Sequence, residues 1–372
     1  MKVLVTGGAG FIGSHLVDSL VSAGHEVRVI DSLDAQVHQG KKPAHLNPRA
    51  EYIFDDIRKE DALKTAIEGI DVISHQASAV GVGQSMYEIK SYVDTNTYAT
   101  AKLLDILVNS EHSVKKLIVA SSMSIYGEGS YDCESCGLSH PALRSDGQLK
   151  TKQWEMKCPK CGKPVRPVPT GEEKPLRPTS IYAITKRDQE EMCLAVGRSY
   201  GIPTVALRYF NVYGPRQSLN NPYTGVCAIF SSRIKNNNPP IIFEDGLQSR
   251  DFVSVHDIVQ ANMLAMKNPK MDYDYFNVGT GKKLSILDVA ETLIKLYAPG
   301  SSMGPTIANK FRSGDIRHCF ADVSKIRSMG FEPKVAFEEG MKELAEWGRT
   351  VSARDDFDKA EGELQSKSLI KS

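Results

Sequence analysis

One pair of side chains has the spacing and chemistry of a proton-transfer site. Tyr182 and Lys186 are four residues apart, so within a helix they lie on the same face, one turn apart. A free phenol has a pKa of about 10 and is a weak base at neutral pH. The neighbouring ammonium group would lower that pKa, because a positive charge favours the phenolate. The pair could then take the proton of a hydroxyl group while hydride leaves the same carbon atom, although the spacing alone also fits an ordinary amphipathic helix.

A glycine-rich segment near the N-terminus predicts a phosphate-binding loop. Gly7, Gly10 and Gly13 recur every three residues, and Gly8, Gly10 and Gly13 also satisfy the pattern G-x-G-x-x-G. The segment follows an apolar run at residues 3–5 and is itself followed by apolar residues at helical spacing. Such glycines permit a tight turn and bring a pyrophosphate close to the backbone at a helix N-terminus. In this strand–turn–helix context the motif predicts a dinucleotide site rather than an ordinary turn.

The residue after the second predicted strand indicates which dinucleotide is bound. Asp31 directly follows the strand predicted at 26–30 and lies 18 residues beyond Gly13. A carboxylate there accepts hydrogen bonds from the ribose hydroxyls of NAD and repels the 2′-phosphate of NADP. Neither Ser32 nor Leu33 is basic, so neither offers a cation to that phosphate. We therefore predict NAD, and the simpler alternative is a surface aspartate at a strand end.

Four of the seven cysteines have the spacing of a metal site. Cys133 and Cys136 form one C-x-x-C pair, Cys158 and Cys161 form another, and 21 residues separate the pairs. The spacing is that of a four-cysteine zinc ribbon and predicts a structural zinc site, because four thiolates close the tetrahedron and leave no position open for catalysis. Disulfides or unbound thiols are the alternative, and a reducing cytoplasm disfavours disulfides. The remaining cysteines are predicted to be ordinary buried side chains: Cys193, Cys227 and Cys319.

The elements that would position these residues follow an α/β pattern. Short apolar runs alternate with longer amphipathic segments over the first 120 residues. Runs this uniformly apolar are typical of parallel strands that are covered on both faces. Strands are predicted at 3–5, 26–30, 52–54, 72–75, 117–120 and 203–208, and helices at 180–199 and 286–297. We therefore predict a doubly wound parallel sheet of the Rossmann type with a smaller C-terminal substrate lobe.

The domain boundaries expected from this pattern are uneven. Residues 1–131 and 179–213 would form the NAD-binding domain, interrupted by the cysteine-bearing insertion at 132–178. Residues 214–350, where the pattern becomes irregular, would form mainly the substrate lobe. Residues 351–372 are polar and charged, and we expect a solvated tail or a loosely attached helix.

Composition excludes several functional classes. The 372 residues are 41% hydrophobic and 24% charged, which is typical of a globular protein rather than a disordered or fibrous one. The net charge is +1, so nothing electrostatic suggests nucleic acid or a membrane surface as the partner. No window approaches the roughly 18 consecutive apolar residues that a membrane helix requires. The N-terminal residues do not resemble a secretion signal, so we expect a cytoplasmic protein.

Several further motifs occur in order along the chain. They are Asp-Ile-Arg at 56–58, His-Gln-Ala-Ser at 75–78, Asn96, Ser-Ser-Met-Ser-Ile-Tyr-Gly at 121–127, Tyr-Ala-Ile-Thr-Lys at 182–186, Arg-Tyr-Phe-Asn-Val-Tyr-Gly-Pro-Arg at 208–216 and Arg-Asp-Phe-Val at 250–253. With these motifs, residues 1–350 resemble the extended short-chain dehydrogenase/reductase family and, within it, the nucleotide-sugar epimerases. The four-cysteine insertion, which most of that family lacks, resembles the subset that includes the dTDP-L-rhamnose 4-epimerase type.

The resemblance implies a catalytic set, a cofactor site and a substrate site. Tyr182 would be the general base, Lys186 would hold the nicotinamide ribose, and Ser122 would hydrogen-bond the reacting oxygen, with Ser124 as a second candidate. The NAD site would comprise Gly7, Gly10, Phe11, Ile12, Gly13, Asp31, Ser32, Asp56, Ile57, Gln76, Ala77, Ser78, Asn96, Tyr182, Lys186, Tyr209 and Val212. The nucleotide-sugar substrate would contact Ser122, Ser124, Tyr182, Asn211 and Phe243, and its diphosphate would bind Arg250 and Arg312 through charge-assisted hydrogen bonds.

The two residues after Ser122 indicate the reaction. Related 4,6-dehydratases carry Asp-Glu directly after the catalytic threonine, and related decarboxylases carry a glutamate two residues after it. This chain has Met123 and Ser124 there, and neither side chain can act as a general acid or base for elimination. We therefore predict an NAD-dependent 4-epimerase that acts on a dTDP- or UDP-sugar through a transient 4-keto intermediate. A dehydratase, reductase or decarboxylase on the same scaffold is the alternative, followed by a non-catalytic NAD-binding module.

The sequence also suggests how the chain assembles and where the insertion lies. The resemblance implies a homodimer that pairs through the helices at 89–107 and 180–199. The insertion would lie beside the sugar pocket, because it separates the strand that carries Ser122 from the helix that carries Tyr182. It could be a substrate lid, a dimer contact or a structural staple, and the sequence does not choose among these roles.

Overall fold

A seven-stranded parallel sheet forms the centre of the protein. The computed structural model describes residues 1–371. The strands of the sheet are β1 (Lys2–Thr6), β2 (Glu26–Ile30), β3 (Glu51–Ile53), β4 (Val72–His75), β5 (Lys116–Ser122), β6 (Thr204–Tyr209) and β7 (Asp274–Val278). Their order is β3-β2-β1-β4-β5-β6-β7, and every neighbouring pair is parallel. The predicted doubly wound sheet of the Rossmann type is confirmed.

Helices cover both faces of this sheet. The longer helices are α1 (Phe11–Ser22), α2 (Glu60–Ile67), α3 (Ala99–Asn109), α4 (Ile181–Tyr200), α5 (Val226–Lys235), α6 (Val255–Lys267), α7 (Ile286–Tyr297), α8 (Phe337–Thr350) and α9 (Phe357–Ser366). On one face, α1 and α6 share a core that contains Leu16 and Ile258. On the other face, α2, α3 and α4 contribute Leu63, Leu103 and Leu194 to a second core. Because both faces are covered, β5 is buried along its whole length, which explains its nearly continuous apolar sequence.

A crevice opens where the strand order reverses. β1 lies between β2 and β4, and the connections after β1 and β4 lead to helices on opposite faces of the sheet. The loops at the carboxyl ends of these two strands therefore diverge, and ligands of doubly wound sheets bind at this switch point. The glycine loop, residues 7–13, borders the crevice on one side, and the segment after β4 borders it on the other.

A smaller lobe follows β6. Helices α5, α7 and α8 enclose an apolar core that includes Phe230, Leu293 and Leu344. Short strands connect this core to the central sheet. Asn211–Tyr213 runs parallel to Phe252–Ser254, and Ser249–Arg250 lies between Leu284–Ser285 and His318–Cys319. The lobe thereby brings polar side chains of its strands to the mouth of the crevice.

The cysteine-bearing insertion folds as a small antiparallel sheet. Ser130–Cys133 pairs with Gly137–Ser139 on one side and with Arg166–Val168 on the other. A short helix, Asp146–Lys150, lies in the loop between the two cysteine pairs. A small core under the sheet consists of Tyr131, Cys133, Met156, Cys158 and Val165.

The C-terminal segment, residues 351–371, contains a helix, which was one of the two expectations, and it packs on the protein instead of forming a solvated tail. Ala360 and Leu364 of α9 are buried, and Ile370–Lys371 pairs antiparallel with Phe311–Arg312. The carboxylate of Glu363 accepts hydrogen bonds from the hydroxyls of Tyr87 and Tyr223. The few apolar residues of this segment recur at a spacing that gives one short helix an apolar face, which overall composition does not reveal. Within residues 1–371, no helix is both long enough and apolar enough to cross a membrane.

Candidate active site

One large cleft, about 720 Å³ in volume, occupies the crevice and continues between the sheet and the smaller lobe. Every residue predicted to bind cofactor or substrate, or to act in catalysis, lines this cleft except Asn96. Their positions along the sequence span more than 300 residues, so the fold has brought them together. The glycine loop and the arginines of the lobe thus line one continuous cleft.

Asn96 lies behind the wall of the cleft and supports it. It is buried in a π-helical turn, Val93–Tyr98. Its Oδ1 accepts hydrogen bonds from the backbone N–H of Ala79 (2.7 Å) and the hydroxyl of Ser78 (3.1 Å). Its Nδ2 donates to Ala79 O and to Thr185 Oγ1, both at 3.0 Å. Asn96 therefore fixes the loop after β4 to α4. It does not line the cleft itself but holds Ser78, which does.

The glycine loop forms a cradle that side chains would fill. Gly7 has φ +70°, and a Cβ atom there would lie 2.9 Å from the backbone of Ala77. A Cβ atom on Gly13 would lie 2.2 Å from Gly7 O, which shows how tightly α1 starts against the loop. Gly10 is the N-cap of α1 without any side-chain cap, so the first N–H groups of the helix face the cleft. These features fit the pyrophosphate of a dinucleotide.

The acidic residues after β2 and β3 are held in place by hydrogen bonds. Asp31 is buried, and its carboxylate accepts from the backbone N–H groups of Ala9 (3.0 Å) and Leu33 (2.9 Å). It therefore joins the glycine loop to the loop after β2, which a surface aspartate would not do. Asp56 forms a two-pronged ion pair with Arg58, and that hydrogen bonding lowers the pKa of the Asp56 carboxyl. Both aspartates line the cleft, where they were predicted to contact NAD.

The proton-transfer pair differs in one respect from the sequence-based expectation. The ammonium group of Lys186 donates to Ala120 O (2.6 Å) and to Gln189 Oε1 (3.0 Å), and burial lowers its pKa to about 8. Burial raises the pKa of Tyr182, and the nearby Ser122 hydroxyl acts in the opposite direction. In the protein without ligands the pKa of Tyr182 is therefore raised, because desolvation of the phenol outweighs the influences that would lower it. The backbone N–H of Tyr182 is anchored by Ser85 Oγ at 3.0 Å.

The lobe presents two oriented cations and one unpaired amide oxygen. Arg250 donates to Ser249 O (2.8 Å), Arg317 O (2.9 Å) and Ile316 O (2.7 Å). Arg312 donates from Nε to Asp315 Oδ2 at 2.8 Å, and its guanidinium lies 5.0 Å from the ring centre of Phe243. The Oδ1 atom of Asn211 is buried and has no hydrogen-bond partner. Both guanidinium groups are fixed before any ligand arrives, and Asn211 retains an acceptor for a ligand hydroxyl.

The four clustered cysteines fit a tetrahedral metal site. Their Sγ atoms all lie within 4.8 Å of one another, and those of Cys133 and Cys161 are 3.6 Å apart. Zn–S bonds of about 2.3 Å arranged tetrahedrally require sulfur atoms about 3.8 Å apart, whereas a disulfide requires about 2.05 Å. The donor set therefore fits zinc better than a disulfide, and the three other cysteines are buried elsewhere: Cys193, Cys227 and Cys319.

Several cleft residues were not predicted. Thr179 and Ser180 precede Tyr182 and line the cleft beside it, while Leu364 and Ile370 reach it from the C-terminal segment. A signal for Ser180 was present, because it precedes a helix and its side chain caps α4 by accepting from Ala183 N–H. No sequence pattern identified the C-terminal residues, since their position depends on the strand pairing with Phe311–Arg312.

The fold and the cleft together define a dinucleotide-binding α/β protein. The model of the NAD dependent epimerase/dehydratase family matches residues 3–146 and 159–279, which is more than half of the chain, and the chain belongs to this family. The prediction of an NAD-dependent epimerase family is thereby confirmed. The gap in the match, 147–158, falls inside the insertion.

Individual members of this family that are similar to the chain are named as nucleotide-sugar 4-epimerases. The chain is 33% identical to a dTDP-L-rhamnose 4-epimerase of Burkholderia thailandensis. The alignment spans 350 residues and covers 93% of this chain and 94% of the relative. The solved structure of UDP-glucose 4-epimerase from Thermotoga maritima with UDP-glucose is similar at a TM-score of 0.75 and 32% identity, over 94% of this chain and 99% of that one. The UDP-glucuronic acid 4-epimerase from Bacillus cereus in complex with UDP-glucuronic acid and NAD is similar at a TM-score of 0.76 and 28% identity, over 95% of this chain and all of that one.

Proposed function

We propose that this protein is an NAD-dependent nucleotide-sugar 4-epimerase, which inverts the C4 hydroxyl of a dTDP- or UDP-sugar through a transient 4-keto sugar. The main support for this proposal is the set of residues that share the cleft. Ser122, Tyr182 and Lys186 share a cleft with the glycine cradle and with two oriented arginines, and the positions after Ser122 hold Met123 and Ser124. The matches to nucleotide-sugar 4-epimerases of two nucleotide classes support the same reaction.

The side chains divide the proton chemistry of this reaction among them. NAD, when bound, would supply a hydride acceptor for oxidation of C4, and its reduced form would supply the hydride donor for the reverse step. Tyr182 takes the proton of the C4 hydroxyl as that carbon is oxidised, and gives it back when the keto group is reduced. Ser122 hydrogen-bonds the same oxygen in both directions. Lys186, held by Ala120 and Gln189, also lines the cleft, and its charge would favour the phenolate against the burial that raises the pKa of Tyr182.

Retention of the nucleotide explains why the lobe is built around fixed cations. The sugar must rotate between the two hydride transfers, so it needs loose contacts, whereas the diphosphate must stay bound. Arg250 and Arg312 would bind the diphosphate, with Phe243 beside the nucleobase and Asn211 accepting a hydrogen bond from the ligand. Elimination of water or loss of carbon dioxide would call for an acidic side chain next to Ser122, and neither Met123 nor Ser124 supplies one.

The metal, the assembly and the location follow as parts of the same proposal. The four clustered cysteines would hold one structural zinc ion, because their sulfur atoms all lie within 4.8 Å of one another: Cys133, Cys136, Cys158 and Cys161. A homodimer would bury the apolar side chains exposed on neighbouring helices, which are Ile89, Val93, Tyr98 and Ile184. Thiolates that bind zinc persist in a reducing compartment, which supports a cytoplasmic location.

The direct test is a panel of substrates. Purified protein is incubated with dTDP-L-rhamnose, UDP-glucose and UDP-N-acetylglucosamine, and the products are identified by NMR. The proposal requires an equilibrium mixture of C4 epimers of at least one substrate without added dinucleotide, and no turnover by Tyr182→Phe. Formation of a dehydrated or decarboxylated product, or stoichiometric consumption of a dinucleotide, would contradict it.

A further inference from the structure

The loop between the two cysteine pairs reaches into the substrate lobe through a buried arginine. The side chain of Arg144 is 1% exposed and forms a two-pronged ion pair with Glu244, with both Nη–Oε distances at 2.8 Å. The same guanidinium donates to Trp154 O at 2.9 Å and to Asp315 O at 3.2 Å. Arg144 therefore ties its own loop to two separate segments of the lobe.

Those two segments carry the residues assigned to the nucleotide. Glu244 follows Phe243 directly and is held at φ +56°, which is unusual for a residue with a side chain. Asp315 accepts the Nε hydrogen bond that orients Arg312. The carboxylate of Glu244 thus fixes the backbone beside Phe243, and the carbonyl of Asp315 fixes the backbone that aims Arg312.

A second buried arginine extends the connection. Arg317 is fully buried, and its guanidinium donates to Glu155 of the insertion (3.1 Å), Glu244 (3.1 Å) and Asp245 (2.6 Å). The backbone oxygen of Arg317 accepts one of the hydrogen bonds that orient Arg250. Next to this network, Leu149 and Trp154 of the insertion enclose the fully buried Phe311, which precedes Arg312. All the insertion residues involved lie between Cys136 and Cys158, so the cysteine cluster closes the loop that bears them.

We propose that Arg144 is a positioning residue for the nucleotide half of the substrate. The insertion sets nucleotide affinity by holding Phe243, Arg250 and Arg312 in fixed positions relative to one another. The inference rests on the proposed function for the identity of the ligand. None of these insertion residues is needed for the proton chemistry at Tyr182. The insertion should therefore affect binding of the nucleotide far more than the chemical step.

The test separates binding from turnover. Arg144→Lys keeps the charge but cannot form the two-pronged pair together with the two carbonyl contacts. It should raise KM for the nucleotide sugar, and the Kd for UDP or dTDP by calorimetry, by about tenfold or more. The kcat and the NAD content should stay within about twofold. Arg166→Gln is the matched control, because Arg166 belongs to the same insertion but is 81% exposed in a surface pair with Asp132.

Each outcome decides the proposal. Unchanged KM and Kd in a folded Arg144→Lys protein would overturn it, and so would a joint fall of kcat, NAD content and melting temperature, which marks a merely structural residue. If Arg144→Lys does not fold, Glu155→Gln takes its place under the same criteria, since Glu155 is more exposed and its partner Arg317 keeps two other carboxylates. Calorimetry with UDP or dTDP needs no turnover, so this result stands apart from any failure of the epimerase assay.

Discussion

The hydroxyl of Ser124 donates a hydrogen bond to the hydroxyl oxygen of Ser122 at 2.9 Å, and the backbone N–H of Ser124 donates to the same oxygen at 3.1 Å. Two donors therefore already point at Ser122 Oγ. The hydroxyl proton of Ser122 is left to point toward Tyr182 or toward the oxygen of a bound sugar. This geometry assigns different roles to the two serines, which the sequence left as alternatives.

We predict that Ser122→Ala lowers kcat by about 100-fold or more, because a hydrogen bond to the reacting oxygen is lost. Ser124→Ala should lower kcat by only about tenfold, because it removes one of the groups that orient Ser122 and leaves the backbone donor in place. Initial rates on the preferred substrate measure both effects. An equal fall of kcat in the two variants would contradict the different roles assigned to Ser122 and Ser124.

Gly13→Ala should abolish tight binding of NAD. The new Cβ would lie 2.2 Å from Gly7 O and 2.8 Å from Gly8 Cα, so the glycine loop must deform. Overpacking of this kind also lowers stability by about 1–3 kcal/mol. The NAD content of the purified protein, measured by absorbance after acid release, reports the effect.

Gly171→Ala provides the control, since a Cβ atom there would meet nothing within 4 Å. It should retain NAD and melt at the same temperature as the parent protein. Full NAD occupancy in Gly13→Ala would refute the assignment of this loop as the pyrophosphate cradle.

Elemental analysis should find about one zinc ion per chain. Cys161→Ser should lose that metal and melt more than about 5 °C lower, because closing the site contributes folding energy. Cys193→Ala changes a buried cysteine outside the cluster and should keep its zinc. A metal-free preparation that melts at the same temperature as the metal-loaded protein would remove the structural role proposed for the site.

Acid should destabilise the protein through His75. This histidine is buried between Thr6 Oγ1 (2.8 Å) and Thr100 Oγ1 (2.9 Å), and burial lowers its pKa to about 3, helped by the charge of Lys186. The unfolded chain binds a proton below about pH 6.5 and the folded protein does not, so stability is present above pH 6.5 and is lost as pH falls toward 3. His75 should contribute a slope of as much as about 1.4 kcal/mol per pH unit.

Urea unfolding at several pH values between 6.5 and 5 measures this slope. His75→Gln can still bond both threonines but does not titrate. The pH dependence of its unfolding free energy should therefore be smaller by as much as about 1.4 kcal/mol per pH unit, which corresponds to one proton. Identical slopes in the two proteins would show that His75 is not responsible for the acid sensitivity.

The sequence predicted the features that depend on local pattern and missed those that depend on distant contacts. The strand–turn–helix at Gly13 and the two C-x-x-C pairs could be predicted, because each pattern depends on residues that are close together in the chain. The role of Arg144 was not readable, because its partner Glu244 is 100 residues away. The packing of Leu364 was missed for the same reason. The raised pKa of Tyr182 in the protein without ligands was also missed, because helical spacing to Lys186 does not show how deeply the phenol is buried.

The central claim is that hydride leaves C4 of the sugar and returns to the same carbon without reaching water. A nucleotide sugar that carries deuterium at C4 tests this claim directly when it is epimerised in ordinary water and the product is examined by NMR and mass spectrometry. The C4 epimer should retain the deuterium at C4. Epimer that carries hydrogen at C4, with the label in the solvent, would contradict it.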